Sequence, residues 1–211
     1  DTCRRQRQMC IRDSLCAVLL TEDEIIIENI PDIKDVNLLI NLLDGIGVDV
    51  KKINDTTYKF KSNNIDLTYT KTKEFFDKSS KIRGSIMLMG PMVARFGSAY
   101  IAKPGGDKIG RRRVDTHFIG LQELGANFSV EDNNSVFKIS ANKLRGTKIL
   151  LDEASVTGTA NIVMAASLAA GETTIYNAAC EPYLQQLCKM LNSMGADLSL
   201  IHISEPTRPT D

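Results

Sequence analysis

The first thing this sequence lacks is net charge: 26 lysines and arginines stand against 26 aspartates and glutamates. A nucleic acid is bound chiefly by neutralising its phosphates, so a chain without excess cations offers little to such a partner. Cysteines at paired metal-ligand spacing are also missing. Cys3, Cys10, Cys16, Cys180 and Cys188 are scattered and only two histidines accompany them, which leaves no pattern for a structural zinc site. Scattered thiols of this kind suit a reducing compartment, where cysteine behaves as a small hydrophobe. Finally, no apolar run approaches the roughly 18 residues that a membrane-crossing helix requires. The expectation is a soluble cytoplasmic protein with no nucleic-acid or membrane partner.

The two ends differ in character from what lies between them. Read back into codons, Arg4 to Ser14 and Leu198 to Arg208 reproduce the two arms of a transposase-type sequencing adapter. Residues 1–14 and 198–211 are therefore expected to be artefactual, disordered tails, and 15–197 to be the folded unit. A basic arm for nucleic acid is the competing reading of Arg4, Arg5, Arg7 and Arg12. Without the two end segments, 21 Lys and Arg face 22 Asp and Glu. The interior is nearly neutral, so any cluster of cations within it is local.

What is present is a repeat. Helix-like stretches end in a glycine turn at Gly47, Gly125 and Gly195, 78 and 70 residues apart, where a helix C-terminus calls for positive φ. Each unit also opens alike, with an apolar helix followed by a β-branched run: Ala17–Leu20 before Glu24–Pro31, Met92–Arg95 before Ala99–Ile101, and Ala165–Ala169 before Thr173–Asn177. Asp35 and Asp115 open helices, with carboxylates at positive helix ends. Three α/β units of similar size, each too small to bury its own apolar face, are expected to stack on a shared helical core. Met87, Leu88, Met89 and Met92 read as core. Tyr69–Lys81, with four lysines, reads as a solvated linker, and Ser62–Asn64 as a turn.

One loop stands apart. Pro104–Arg113 gathers three glycines, Lys108, Arg111, Arg112 and Arg113 around the single carboxylate of Asp107. Glycines let backbone N–H groups approach a ligand, and guanidinium forks match phosphate or carboxylate oxygens. An anionic small molecule is the ligand this chemistry fits.

With its surroundings the loop resembles a known family. Arg83-Gly84-Ser85-Ile86, Gly90–Gly97, the Pro-Gly-Gly loop, Val114-Asp115-Thr116-His117, Gly120–Ala126, Leu151–Val156 and Asn177–Pro182 follow in the order found in the enolpyruvyl transferases. Among these the UDP-N-acetylglucosamine 1-carboxyvinyltransferases are the nearest in pattern. The resemblance implies an α/β fold, one lobe of an inside-out α/β barrel built from three βαβαββ-type repeats, with a second lobe of the same protein missing here. It implies transfer of an enolpyruvyl group from phosphoenolpyruvate to the 3-hydroxyl of UDP-N-acetylglucosamine, the opening step of peptidoglycan synthesis, with release of phosphate and no metal or organic cofactor. Alternatives are a 3-phosphoshikimate 1-carboxyvinyltransferase, a non-catalytic nucleotide-sugar binding module, and an RNA-processing enzyme of related repeat architecture.

Residue roles carry over by position. Asp107 takes the place usual for a cysteine and would act as general acid toward the methylene carbon; without that thiol the enzyme would be insensitive to fosfomycin. Arg112 would hold substrate phosphate, and Arg113, Val114, Asp115 and Thr116 would continue the nucleotide-sugar contact. Arg83 would join them. Glu153, Ala154, Ser155 and Val156 match a uridine-contact segment. The chain departs from the family pattern at Arg113, usually proline, at Glu153, often lysine, and at Thr157, often glycine. His117 reads as structural.

Overall fold

An unbroken apolar stretch from Leu15 to Leu20 is buried throughout, and it forms the end of α1 (residues 11–17) and the 3-10 turn Val18–Leu20 that continues it. This computed structural model describes residues 11–103, 114–131 and 135–199. Next come β1 (Ile25–Ile27), α2 (Lys34–Ile46), β2 (Asp49–Lys52) and β3 (Tyr58–Lys61). In α2 the buried residues Val36, Leu39, Ile40, Leu43 and Ile46 recur at helical spacing and form one apolar stripe. Gly47 ends the helix at φ 105°, and a Cβ there would strike the Asn64 carbonyl oxygen.

The second unit follows α3 (Lys73–Ser79) and a 3-10 segment at Arg83–Leu88, and comprises α4 (Met89–Phe96), β4 (Ser98–Ala102), α5 (Asp115–Glu123), β5 (Asn127–Glu131) and β6 (Val136–Ser140). The third comprises β7 (Lys148–Leu150), α6 (Val156–Ala166), β8 (Thr174–Tyr176) and α7 (Pro182–Ser193). Sheets one and two share a topology. Their strand orders are β1-β3-β2 and β4-β6-β5, all antiparallel, while β7 and β8 pair in parallel. Registers that place Ile25 opposite Phe60 and Ile101 opposite Phe137 set apolar side chains side by side. Phe118 of α5 stacks on Phe128 at 3.9 Å between ring centroids, sealing the second sheet to its helix.

The core lies among the helices. Every residue from Met89 to Val93 in α4 and from Gly158 to Ala165 in α6 is buried, so these two helices are enclosed while α2 and α7 cover the outside with one apolar face each. α4 and α6 touch closely because Gly90 has no side chain: a Cβ would meet the carbonyl and side-chain oxygens of Asn161. The repeat glycines Gly47, Gly125 and Gly195 all have positive φ, at 105°, 97° and 101°. The methionine cluster expected in the core is there. Among the described residues no helix is long and apolar enough to cross a membrane.

Two expectations need correction. Tyr69–Lys81 is packed structure, with a 3-10 turn at Tyr69–Lys71 and then α3. Thr72 caps α3 by accepting from the Phe75 N–H, and Phe75 is fully buried; the lysines mask this by lying on the outer face, where Lys78 pairs with Glu74 at 2.6 Å. Nor are residues 11–14 disordered. They belong to α1, whose register is imposed by the buried stretch that follows, and that register puts Asp13 inside at 1% exposure.

Candidate active site

Three chain segments begin at one end of the helical core: the 3-10 segment at Arg83, α5 at Asp115 and α6 at Val156. Each start leaves backbone N–H groups without helical partners, and together they favour negative charge nearby. Ser155 caps α6, its hydroxyl accepting from the Gly158 N–H at 3.2 Å, while its carbonyl accepts from the Thr159 hydroxyl at 2.7 Å. This fixes the turn carrying Ala154, Ser155 and Val156.

Thr116 ties α5 to that turn. It is 1% exposed, and its hydroxyl lies 3.2 Å from both Asp152 Oδ1 and Glu153 Oε1. Its methyl group packs on Gly158. A hydroxyl so engaged serves to align the two helix starts, while Asp115 beside it faces solvent and Val114 is half-buried. Glu153 accordingly points back toward Thr116.

Beneath this layer lies a polar group the sequence did not single out. Asn161, fully buried in α6, accepts from the Gly90 N–H at 2.7 Å through Oδ1. Its Nδ2 donates to the Ile86 carbonyl at 3.1 Å and meets His117 Nδ1 at 3.0 Å. The other ring nitrogen, Nε2, lies 3.2 Å from Thr157 Oγ1. Burial pushes the His117 pKa down to about 4, with the Arg83 charge adding to the effect. The imidazole is therefore neutral near pH 7, and the network joins α4, α5 and α6. The signal for Asn161 was an amide in the middle of an otherwise apolar helix, a residue that must find partners once buried.

The structure thus brings Arg83, Val114, Asp115, Thr116, Glu153, Ala154, Ser155 and Val156 to the same end of the lobe. Asp107, Arg112 and Arg113 lie outside the described residues. A cavity of about 430 Å³ opens at the far end of α4, lined by Arg95, Gly97, Ser98 and Asn142 among others, and holds none of these residues. Arg95 itself is a structural clamp there, donating to the carbonyls of Leu19, Thr21 and Ser62 at 2.8–3.0 Å.

Comparison with known proteins places this geometry in context. Residues 7–205 match the family described as EPSP synthase (3-phosphoshikimate 1-carboxyvinyltransferase). The UDP-N-acetylglucosamine 1-carboxyvinyltransferase of Bacteroides fragilis is 64% identical over 185 residues, covering 88% of this chain and 43% of the relative. That of Porphyromonas gingivalis is 57% identical over 184 residues, covering 87% and 42%. The chain therefore spans less than half the length of these relatives. Among solved structures, the enolpyruvyl transferase NikO from Streptomyces tendae superposes with a TM-score of 0.76 at 17% identity, covering 92% of this chain and 44% of that one. An EPSP synthase from Acinetobacter baumannii gives 0.68 at 14% identity, covering 92% and 43%. These likenesses show the fold.

Proposed function

The chain belongs to the EPSP synthase family, and from that premise we propose that it is the nucleotide-sugar-binding lobe of an enolpyruvyl transferase that takes phosphoenolpyruvate and UDP-N-acetylglucosamine, at the entry to peptidoglycan synthesis and hence to wall growth, cell shape and division. The observation that carries the reading is the convergence of Arg83, the α5 start and the Ser155-capped α6 start at one end of the lobe. Identity of 64% to a UDP-N-acetylglucosamine 1-carboxyvinyltransferase across 88% of the chain supports it.

In this reading the Ser155 turn receives the uridine, and Arg83 with the start of α5 receives the rest of the nucleotide sugar. Asp107 acts as general acid at the methylene carbon of phosphoenolpyruvate. Addition of the acceptor 3-hydroxyl gives a tetrahedral intermediate, and elimination expels phosphate, whose growing charge Arg112 stabilises. Groups from a second lobe complete the site, so this chain alone is inactive. Placed in the cytoplasm, such an enzyme meets both substrates.

The test grafts this chain into the Bacteroides fragilis relative in place of its matching 185 residues. Phosphate should be released from phosphoenolpyruvate with UDP-N-acetylglucosamine as acceptor, and fosfomycin should not inactivate the chimera. Asp107→Asn should abolish most turnover while sparing nucleotide-sugar binding. Turnover with 3-phosphoshikimate instead would assign the other acceptor, and binding without turnover would make the lobe a binding module.

A further inference from the structure

Resting on that reading of the site, we propose that Thr157 is a further ligand-contacting residue, and that Asn161 and His117 are the positioning residues that aim its hydroxyl proton at the diphosphate of the nucleotide sugar.

The argument follows the protons from the core outward. Asn161 Oδ1 accepts from the Gly90 N–H, so the amide orientation is fixed and Nδ2 presents two hydrogens. One goes to the Ile86 carbonyl. The other goes to His117 Nδ1, which must then be the bare, accepting nitrogen of the ring. The imidazole proton therefore sits on Nε2, and there it faces Thr157 Oγ1 at 3.2 Å. His117 donates, and Thr157 accepts.

A threonine hydroxyl that accepts from a ring N–H still has its own proton to give. Thr157 lies in the first turn of α6, two residues beyond the Ser155 cap, and is half-buried where His117 is 2% exposed. Its inner side meets His117, so its remaining donor is directed to the outer side, where the α6 N–H groups also point. A donor added to free helix N–H groups favours an anionic oxygen. Keeping His117 neutral matters for the same reason: an imidazolium would carry a proton on Nδ1, opposing the Asn161 amide, and would repel Arg83.

Two measurements on the chain test this. Long-range proton–nitrogen correlation spectra of the His117 ring, taken without ligand, should show Nε2 protonated and Nδ1 bare at neutral pH; the opposite tautomer, or an imidazolium, overturns the proposal independently of any substrate. Calorimetric titration with UDP-N-acetylglucosamine should show Thr157→Val weakening binding by about tenfold or more, the loss expected for one hydrogen bond to an anion, and Thr157→Ser restoring it to within about twofold. Thr157→Ser should keep the thermal midpoint of the parent, whereas Thr157→Val, which leaves the buried His117 N–H without its acceptor, should melt lower; titrating well below both midpoints, with circular dichroism matching the parent, separates contact from fold. If Thr157→Val binds like the parent while Ser155→Ala binds weakly, the site reading stands and the role of Thr157 is refuted. If the parent does not bind, or neither Ser155→Ala nor Arg83→Ala weakens binding, the site reading itself falls, and this inference falls with it.

Discussion

Asn161 and Asp13 are both buried in the helical core, at 0% and 1% exposure, and they differ in what surrounds them. Asn161 uses its oxygen and both amide hydrogens on groups from α4, α5 and the 3-10 segment before α4. Asp13 has a carboxyl oxygen, Oδ2, with no hydrogen-bond partner. Its pKa is pushed up to about 7, chiefly by desolvation, with the neighbouring Arg12 charge acting weakly the other way. A polar group is tolerated in such a core when other repeats supply partners for it, and is a liability when they do not. Asp13 lies in the segment proposed to be adapter-encoded, which would give a physical reason for the difference: its neighbours were never selected to receive it.

The largest expected effect breaks the favourable half of the comparison. Asn161→Ala leaves the Gly90 N–H, the Ile86 carbonyl and His117 Nδ1 without partners and opens a void. At about 1–3 kcal/mol for each buried group left unsatisfied, the loss should be on the order of 5 kcal/mol. Denaturant unfolding would measure it, and a loss under about 1 kcal/mol would mean that the network is not what holds α4 against α6.

How far the sequence reveals such features depends on whether a local signal exists. Gly47, Gly125 and Gly195 were legible because positive φ selects glycine wherever a helix stops, and β1, β4 and β8 because β-branched residues cluster after a helix; the other strands, such as β2 with its two lysines, carry no such cluster. α3 was not legible, since the four lysines of Tyr69–Lys81 outweigh Phe75 in any reading of composition. At the site, Arg83, Ser155 and the start of α5 were found through resemblance to a family. The hydrogen-bonded link from Asn161 through His117 to Thr157 spans 44 and 40 residues of chain, and no local pattern announces a contact at that distance. Asp13 was missed for a related reason, because burial there follows from the register of Leu15–Leu20 and not from its own neighbours.

A second prediction addresses the unfavourable half. For Asp13 the folded pKa lies above the value of 3.8 normal for the group, so the folded state holds the proton longer and stability falls as pH rises from about 4 to about 7. At about 1.4 kcal/mol per pH unit, the accumulated cost near pH 8 is about 4 kcal/mol. Asp13→Asn keeps the shape without the ionisation. It should stabilise the protein by about that amount near pH 8 and leave it unchanged near pH 4, as followed by urea unfolding at both pH values. Equal stability of parent and variant at the higher pH would show that the carboxylate reaches solvent or a cation.

The smallest effect sharpens the comparison by setting the two groups against each other. His117 has a folded pKa of about 4, below its normal 6.5, so the unfolded chain binds the proton first and stability falls as pH drops from about 6.5 to about 4. Asp13 works in the opposite direction across nearly the same window, gaining stability as pH drops. Each contributes a slope near 1.4 kcal/mol per pH unit, and the two slopes cancel. The parent chain should therefore show an almost flat contribution from this pair between about pH 4 and 6.5. Asp13→Asn removes one slope and should expose the other, so that the variant gains about 3 kcal/mol over that interval as pH rises. The slope is isolated by following, at each pH, the difference between Asp13→Asn and a double variant that adds His117→Gln, because carboxylates elsewhere, such as Glu74 paired to Lys78, contribute equally to both and drop out. A difference that stays flat across the interval would mean that His117 takes up a proton in the folded state, and with it the tautomer that aims Thr157 would be lost.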